Sequence, residues 1–198
     1  MSGSPTRLLW VLGLAVAAAM HGCASPQRET GDAAWLRAMS SGREAYADHQ
    51  YAAAAQAFAN AAARAESLLL TNACVEARCW QAASRLRWGG LDEARRALDA
   101  ADAWLATATS GAAQREAPSP TLTRRLGELR VVLHLASDQP EQARRALEAL
   151  PEPADASQRT RRQRLAARVA AERGDAESAR ALLDRATAGE AGSASRSS

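Results

Sequence analysis

LDEARRALDAA, Leu91 to Ala101, returns with small changes as PEQARRALEAL, Pro140 to Leu150, and as AESARALLDRA, Ala176 to Ala186. A looser copy, YAAAAQAFANA, runs from Tyr51 to Ala61. In each copy a small residue, Ala54, Ala94, Ala143 or Ala179, stands four places before a bulky apolar one, Phe58, Leu98, Leu147 or Leu183. That spacing puts both residues on one face of an α-helix. A helix with so narrow an apolar stripe cannot bury it alone, so copies of this kind stack on one another, and the pattern predicts an all-α solenoid.

Working outward, each copy is preceded by a second helical stretch, which makes about four helix pairs. The first pair is expected from Ala33 to Asp48 and, after the turn His49-Gln50, from Tyr51 to about Leu70. The second runs from about Val75 to Trp88 and, after Gly89-Gly90, from Asp92 to about Leu105, with Asp92 and Glu93 suited to the positive end of the helix dipole. The third runs from about Thr121 to Ala136 and from Pro140, a favoured first helical residue, to Leu150. The fourth is expected from about Ser157 to Arg173 and from Ala176 to about Ala188, with Gly174-Asp175 as turn and cap. Ala106 to Pro120, rich in Ser, Thr, Ala and Pro, is expected to be a loop or a hinge. The helical domain is thus placed at 33–188, and the tail 189–198, GEAGSASRSS, is expected to be disordered.

The chain has 198 residues, 47% hydrophobic but only 4% aromatic, enough for one domain with a thin core of Ala and Leu. Its 25 basic residues are all Arg, and neither Lys nor Ile occurs, so the preference for Arg reads as codon usage rather than function. A net charge of +3 is too slight for a nucleic-acid footprint, and no nucleic-acid partner is expected.

Residues 1–22 read as a signal segment: Arg7, an apolar run from Leu8 to Met20, then His21-Gly22 before Cys23. The run is shorter than the about 20 residues needed to cross a bilayer. The Gly22-Cys23 junction resembles the lipobox of bacterial lipoproteins, although Met20 and His21 replace the usual Leu and small residue. That resemblance implies lipidation of Cys23, which becomes the first residue of the mature chain, and several acyl chains make a firm anchor. Ala24, rather than Asp, implies the outer membrane, with the domain facing the periplasm and residues 23–32 acting as a tether. An ordinary cleaved signal peptide and an uncleaved anchor are the other readings. Cys74 and Cys79, five apart in TNACVEARCW, admit two readings. They form a disulfide if Cys74 lies in a turn ahead of the helix holding Cys79; in an unbroken helix they are separate buried thiols.

The helix pairs resemble the tetratricopeptide repeat (TPR). Its small and large places are filled by Gly42, Tyr51, Ala54, Phe58 and Ala61 in the first unit and by Ala82, Leu91, Ala94, Leu98 and Ala101 in the second. Val131, Pro140, Ala143, Leu147 and Leu150 form a poorer third, and Ala167, Ala176, Ala179, Leu183 and Ala186 a fourth. The units are spaced by 40, 49 and 36 residues, longer than the about 34 of the family. The resemblance implies a right-handed α-solenoid whose first helices line a concave binding face; an irregular helical bundle is the alternative. It assigns to that face Leu36, Met39, Arg43 and Tyr46, then Glu76, Cys79, Leu86 and Arg87, then Arg125, Glu128, Val132 and Leu135, and lastly Arg161, Arg164 and Arg168.

Arg161, Arg164 and Arg168 also share one helical face by their spacing, where guanidinium groups can hold carboxylates. A docking site for an acidic or extended segment of a partner, a site for anionic lipid headgroups and a plain solvated helix face are the readings. Catalysis has little support: His49 and His134 are isolated, Glu128 lacks a second acid, and neither a metal motif nor a cofactor motif occurs, so none is expected. Trp80, Trp88 and Trp104 read as packing. The expected function is a non-enzymatic adaptor in an envelope assembly such as a secretion, pilus or outer-membrane protein machine. The alternative is a regulator of peptidoglycan synthases or hydrolases.

Overall fold

The computed structural model describes residues 31–109 and 117–194. Among them the chain is all helix: α1 (Ala33–Ala47), α2 (Tyr51–Ser67), α3 (Thr71–Trp88), α4 (Leu91–Thr109), α5 (Pro120–Ala136), α6 (Pro140–Glu148), α7 (Ala156–Glu172) and α8 (Ala176–Ala194). The signal segment and Cys23 lie outside the described residues, as do 110–116 within the expected loop and the last four residues. The helices fall into two compact units, one ending at Leu150 with α1 to α6 and one beginning at Pro151 with α7 and α8.

Five of the helix ends share one construction. At each, a residue in the left-handed region lets the next backbone N–H reach back five residues: Gln50 to Ala45, Leu70 to Ala65, Gly90 to Arg85, Gln139 to His134 and Asp175 to Ala170, all at 2.8–3.0 Å. This is the Schellman closure, which satisfies an orphan carbonyl and reverses the chain. The left-handed residues are His49, Leu69, Gly89, Asp138 and Gly174. Glycine takes that conformation freely, whereas an L-residue pays about 1–2 kcal/mol for it, less for a residue such as Asp that bonds locally. Helices start on side-chain caps where Asp is available, Asp155 at α7 accepting from Gln158 N–H and Asp175 at α8 from Ser178 N–H. Pro120 and Pro140 occupy first turns, where their missing N–H costs nothing.

In the unit ending at Leu150, the short turns after α1, α2, α3 and α5 reverse the chain and make the helices they join antiparallel. α1 packs on α2, α2 on α3, α3 on both α4 and α5, α4 on α5, and α5 on α6. The small-to-large pairs fill the contacts. Ala54 and Phe58 are fully buried, as are Ala94 and Leu98. The Phe58 ring lies so close to α1 that a Cβ on Gly42 would sit 2.6 Å from it, so only glycine fits opposite. Likewise a Cβ on Gly127 would meet Leu150 at 2.5 Å. In the second unit α7 packs on α8, with Leu165, Val169, Ala179 and Ala186 buried.

Three boundaries differ from expectation. α3 begins at Thr71 rather than near Val75, because Asn72 does not turn its own backbone. Its side chain instead donates to Ala117 O at 3.2 Å and accepts from Ser119 N–H at 2.9 Å, tying the start of α3 to the approach of α5. Cys74 and Cys79 therefore lie on one unbroken helix, both buried and both free, which removes the disulfide. α4 continues past Leu105 to Thr109, with Thr107 Oγ1 donating to Trp104 O. α8 runs on to Ala194, through part of the expected tail. There Gly189 serves close helix packing, since a Cβ on it would lie 3.3 Å from Thr160 Oγ1 on α7.

Candidate functional site

The first helices α1, α3 and α5 are joined side by side through their side chains. Arg43 on α1 donates to Glu76 on α3 at 3.0 Å, and the Tyr46 ring of α1 meets the Trp80 ring of α3 edge-on at 5.6 Å. Arg125 on α5 lays its guanidinium over the Trp80 ring, 4.3 Å from the centroid. Trp80 in turn stacks on the core ring of Phe58 at 5.4 Å. Tyr51, the first residue of α2, stands edge-on to Tyr46 at 5.3 Å. Arg87 lies over Tyr51 and donates to its Oη from Nη2 at 3.1 Å. Tyr46, Tyr51, Trp80, Arg87 and Arg125 are all half-buried.

This cluster presents two guanidinium groups on aromatic faces. Such a seat limits their rotation, and each cation–π contact contributes about 0.5–1 kcal/mol or more as it is desolvated. Tyr46 Oη and Trp80 Nε1 are covered and have no hydrogen-bond partner. Each such atom costs about 1–3 kcal/mol while it stays unpaired. Burial pushes the Tyr46 hydroxyl up to about 12, against the pull of the Arg87 and Arg125 charges, so it stays a neutral donor over the whole working range of pH. The cluster is rich in donors and cations, and the ligand chemistry it suits is an anion such as a carboxylate.

Of the residues expected on this face, Tyr46, Arg87 and Arg125 are brought together. Arg43 is exposed and engaged by Glu76. Met39 is a correction: its side chain is fully buried with Trp35 and Phe58 in the core, closed to any partner. Cys79 and Leu86 are likewise core residues, and Glu128 is buried. Sequence reasoning assigned Trp80 to packing alone, and the structure adds its second role as the seat of Arg125. No local pattern carries that signal, because Trp80 and Arg125 are far apart in sequence and come together only when α3 meets α5.

Arg161, Arg164 and Arg168 lie on α7, in the unit that begins at Pro151, and all three are half-buried. Arg168 Nη1 is covered without a hydrogen-bond partner, and burial lowers the proton affinity of that guanidinium. Neighbouring Arg162 turns away to Pro151 O and the Glu152 carboxylate. Among the described residues, no three of His, Cys, Asp and Glu come together as metal ligands, and no helix is long and apolar enough to cross a membrane. Comparison with protein-family models, with curated proteins and with solved structures finds no match to this chain.

Proposed function

We propose that this chain is a non-catalytic adaptor of the bacterial cell envelope: a TPR-like right-handed solenoid, held at the outer membrane by lipid on Cys23, facing the periplasm, and gripping an acidic segment of another envelope protein. The repeated helix pairs with Schellman turns support the repeat reading, as does the closure of Phe58 on Gly42, which stand in the small and large places of the repeat. The observation that carries the binding reading is the pair Arg87 and Arg125 seated on Tyr51 and Trp80 in the layer of first helices. Rigid cations of this kind suit bidentate recognition of carboxylates at a groove.

The test is crosslinking in intact cells with the wild-type chain and with an Arg87→Ala, Arg125→Ala variant, followed by mass spectrometry. Components of one envelope machine should be recovered with the wild type and lost at least tenfold in the variant, with the helical content of the domain unchanged. Equal recovery from both chains would remove the Arg pair from the reading. Recovery of peptidoglycan synthases or hydrolases would replace the assembly role with a regulatory one. Cys23→Ala should move the protein from the membrane fraction to the soluble periplasm, and retention in the membrane would end the lipid-anchor reading.

A further inference from the structure

Leu69 is anomalous twice over. Among the five left-handed turn residues it is the one with an apolar side chain, and that side chain is 60% exposed. Leu68 before it is 37% exposed. Neither the turn nor the core needs leucine at 69: Gly89 and Asp138 make the same closure, and it is Leu70, one residue on, that packs against the core. A strained Leu69 beside an exposed Leu68 is therefore unexplained by folding and points to contact with something else.

Its place in the fold says what. The α1 cap Asp32 bonds Arg64, in the last turn of α2, at 2.7 Å, so the start of α1 and the Leu68–Leu69 turn are at the same end of the helices. Leu36, whose N–H donates to Asp32 O, is there too and is 41% exposed. By the antiparallel order, the turns at His49, Gly89 and Asp138 are at the opposite end; none of these three residues is apolar, and among the described residues the one large exposed apolar side chain beside them, Trp88 at 58%, has the Arg85 guanidinium over its ring. Asp32 stands nine positions after Cys23. A flexible chain of that length averages about 15–18 Å end to end, less than the about 25 Å length of a helix such as α2. A lipid on Cys23 therefore holds the Leu69 end closest to the bilayer. Among the described residues of this end, Asp32 pairs with Arg64, Glu66 with Arg78 and Glu148 with Arg144, which lowers the fixed negative charge facing phospholipid.

We propose that the Leu68–Leu69 turn, with Leu36 at the same end, is a membrane-contacting edge that seats in the boundary between headgroups and acyl chains and sets the orientation of the anchored domain. This rests on the reading of Cys23 as the lipid anchor. Apolar side chains that dip about 5–10 Å into that boundary gain contact without spanning it. Lipid tether and leucine edge together fix a direction, where the tether alone would leave the domain free to tumble.

The experiment places an environment-sensitive nitrobenzoxadiazole label on Leu69→Cys in the full chain purified from membranes, in vesicles of phosphatidylethanolamine and phosphatidylglycerol. Cys74 and Cys79 are buried and spared by the reagent, and a lipidated Cys23 is blocked. The expected result is a blue-shifted emission at position 69, quenched by nitroxide carried on the lipid acyl chains, with neither effect at an Asp138→Cys label. Emission at 69 matching that at 138 in chains that float with the vesicles overturns the edge and leaves the anchor standing. A blue shift that lipid-borne nitroxide fails to quench overturns it in favour of a protein occupant, such as a second copy. Failure to float, with a second label found on Cys23, overturns the anchor and the edge with it.

Discussion

Phe58 and Leu183 hold the same place in the repeated motif, four residues after Ala54 and Ala179, and their surroundings could hardly differ more. Phe58 is fully buried, closed on Gly42 of α1 and stacked on Trp80 of α3, whereas Leu183 is 48% exposed. The small residue is buried in both copies, so the motif does set the face on which a helix meets its own pair-mate. What it does not set is whether a following helix covers the large residue. α2 has α1 on one side and α3 on the other, while α8 has α7 alone within its unit. Truncation breaks the comparison most sharply. Phe58→Ala should cost about 3–5 kcal/mol, a lost transfer term plus a cavity that the surrounding alanines cannot fill. Leu183→Ala should cost less than about 0.5 kcal/mol. Chemical denaturation of the two variants checks both, and a similar loss in each would mean that Leu183 is covered in solution.

The same contrast explains what was legible in the residues. Ala54, Phe58, Ala94 and Leu98 were readable as core because period and spacing within one helix suffice to align a stripe. The all-helical class and most turns followed, since Gly89-Gly90 and Gly174-Asp175 name their own conformation. The start of α3 was not readable, because Asn72 looks like a turn residue until the distant Ser119 and Ala117 are seen to occupy its amide. Met39 was misplaced for a related reason: placement by resemblance set its position in the helix, but the neighbouring Trp35 and Phe58 decide that the side chain faces the core. The Arg125 and Trp80 contact depends on α5 meeting α3, and pairings between helices leave no trace in a single window.

A second contrast lies between turns of one construction. His49, Asp138 and Leu69 all take the left-handed conformation without being glycine, and among them only Leu69 has a side chain with nothing polar to bond. Leu69→Asn should therefore raise stability by about 1 kcal/mol in the detergent-free soluble domain, as strain is relieved and an exposed apolar side chain is removed. Asp138→Leu, the reverse exchange at an equivalent turn, should lower it by a similar amount. Thermal unfolding of the two variants gives the sign directly. A loss on Leu69→Asn would show that Leu69 contributes to the fold and that its exposure is incidental.

The smallest of these effects separates the helix caps. Asp175 bonds only within its own helix, to Ser178, whereas Asp32 caps Trp35 N–H and also reaches across to Arg64 on α2. The Arg64 guanidinium and the Trp35 N–H together hold the Asp32 carboxyl at about 2, below its ordinary 3.8. Because the folded value is the lower one, the stabilisation is complete above the ordinary value and is lost as the pH falls through about 4 towards 2. Asp32→Asn retains an oxygen to cap Trp35 N–H but removes the charge that Arg64 pairs with. The variant and the wild type should therefore differ in stability at neutral pH and converge near pH 2, with the difference at neutral pH shrinking in high salt because the pair is open to solvent. A difference that persists unchanged through acid would assign the role of Asp32 to the cap alone and make the start of α1 equivalent to that of α8.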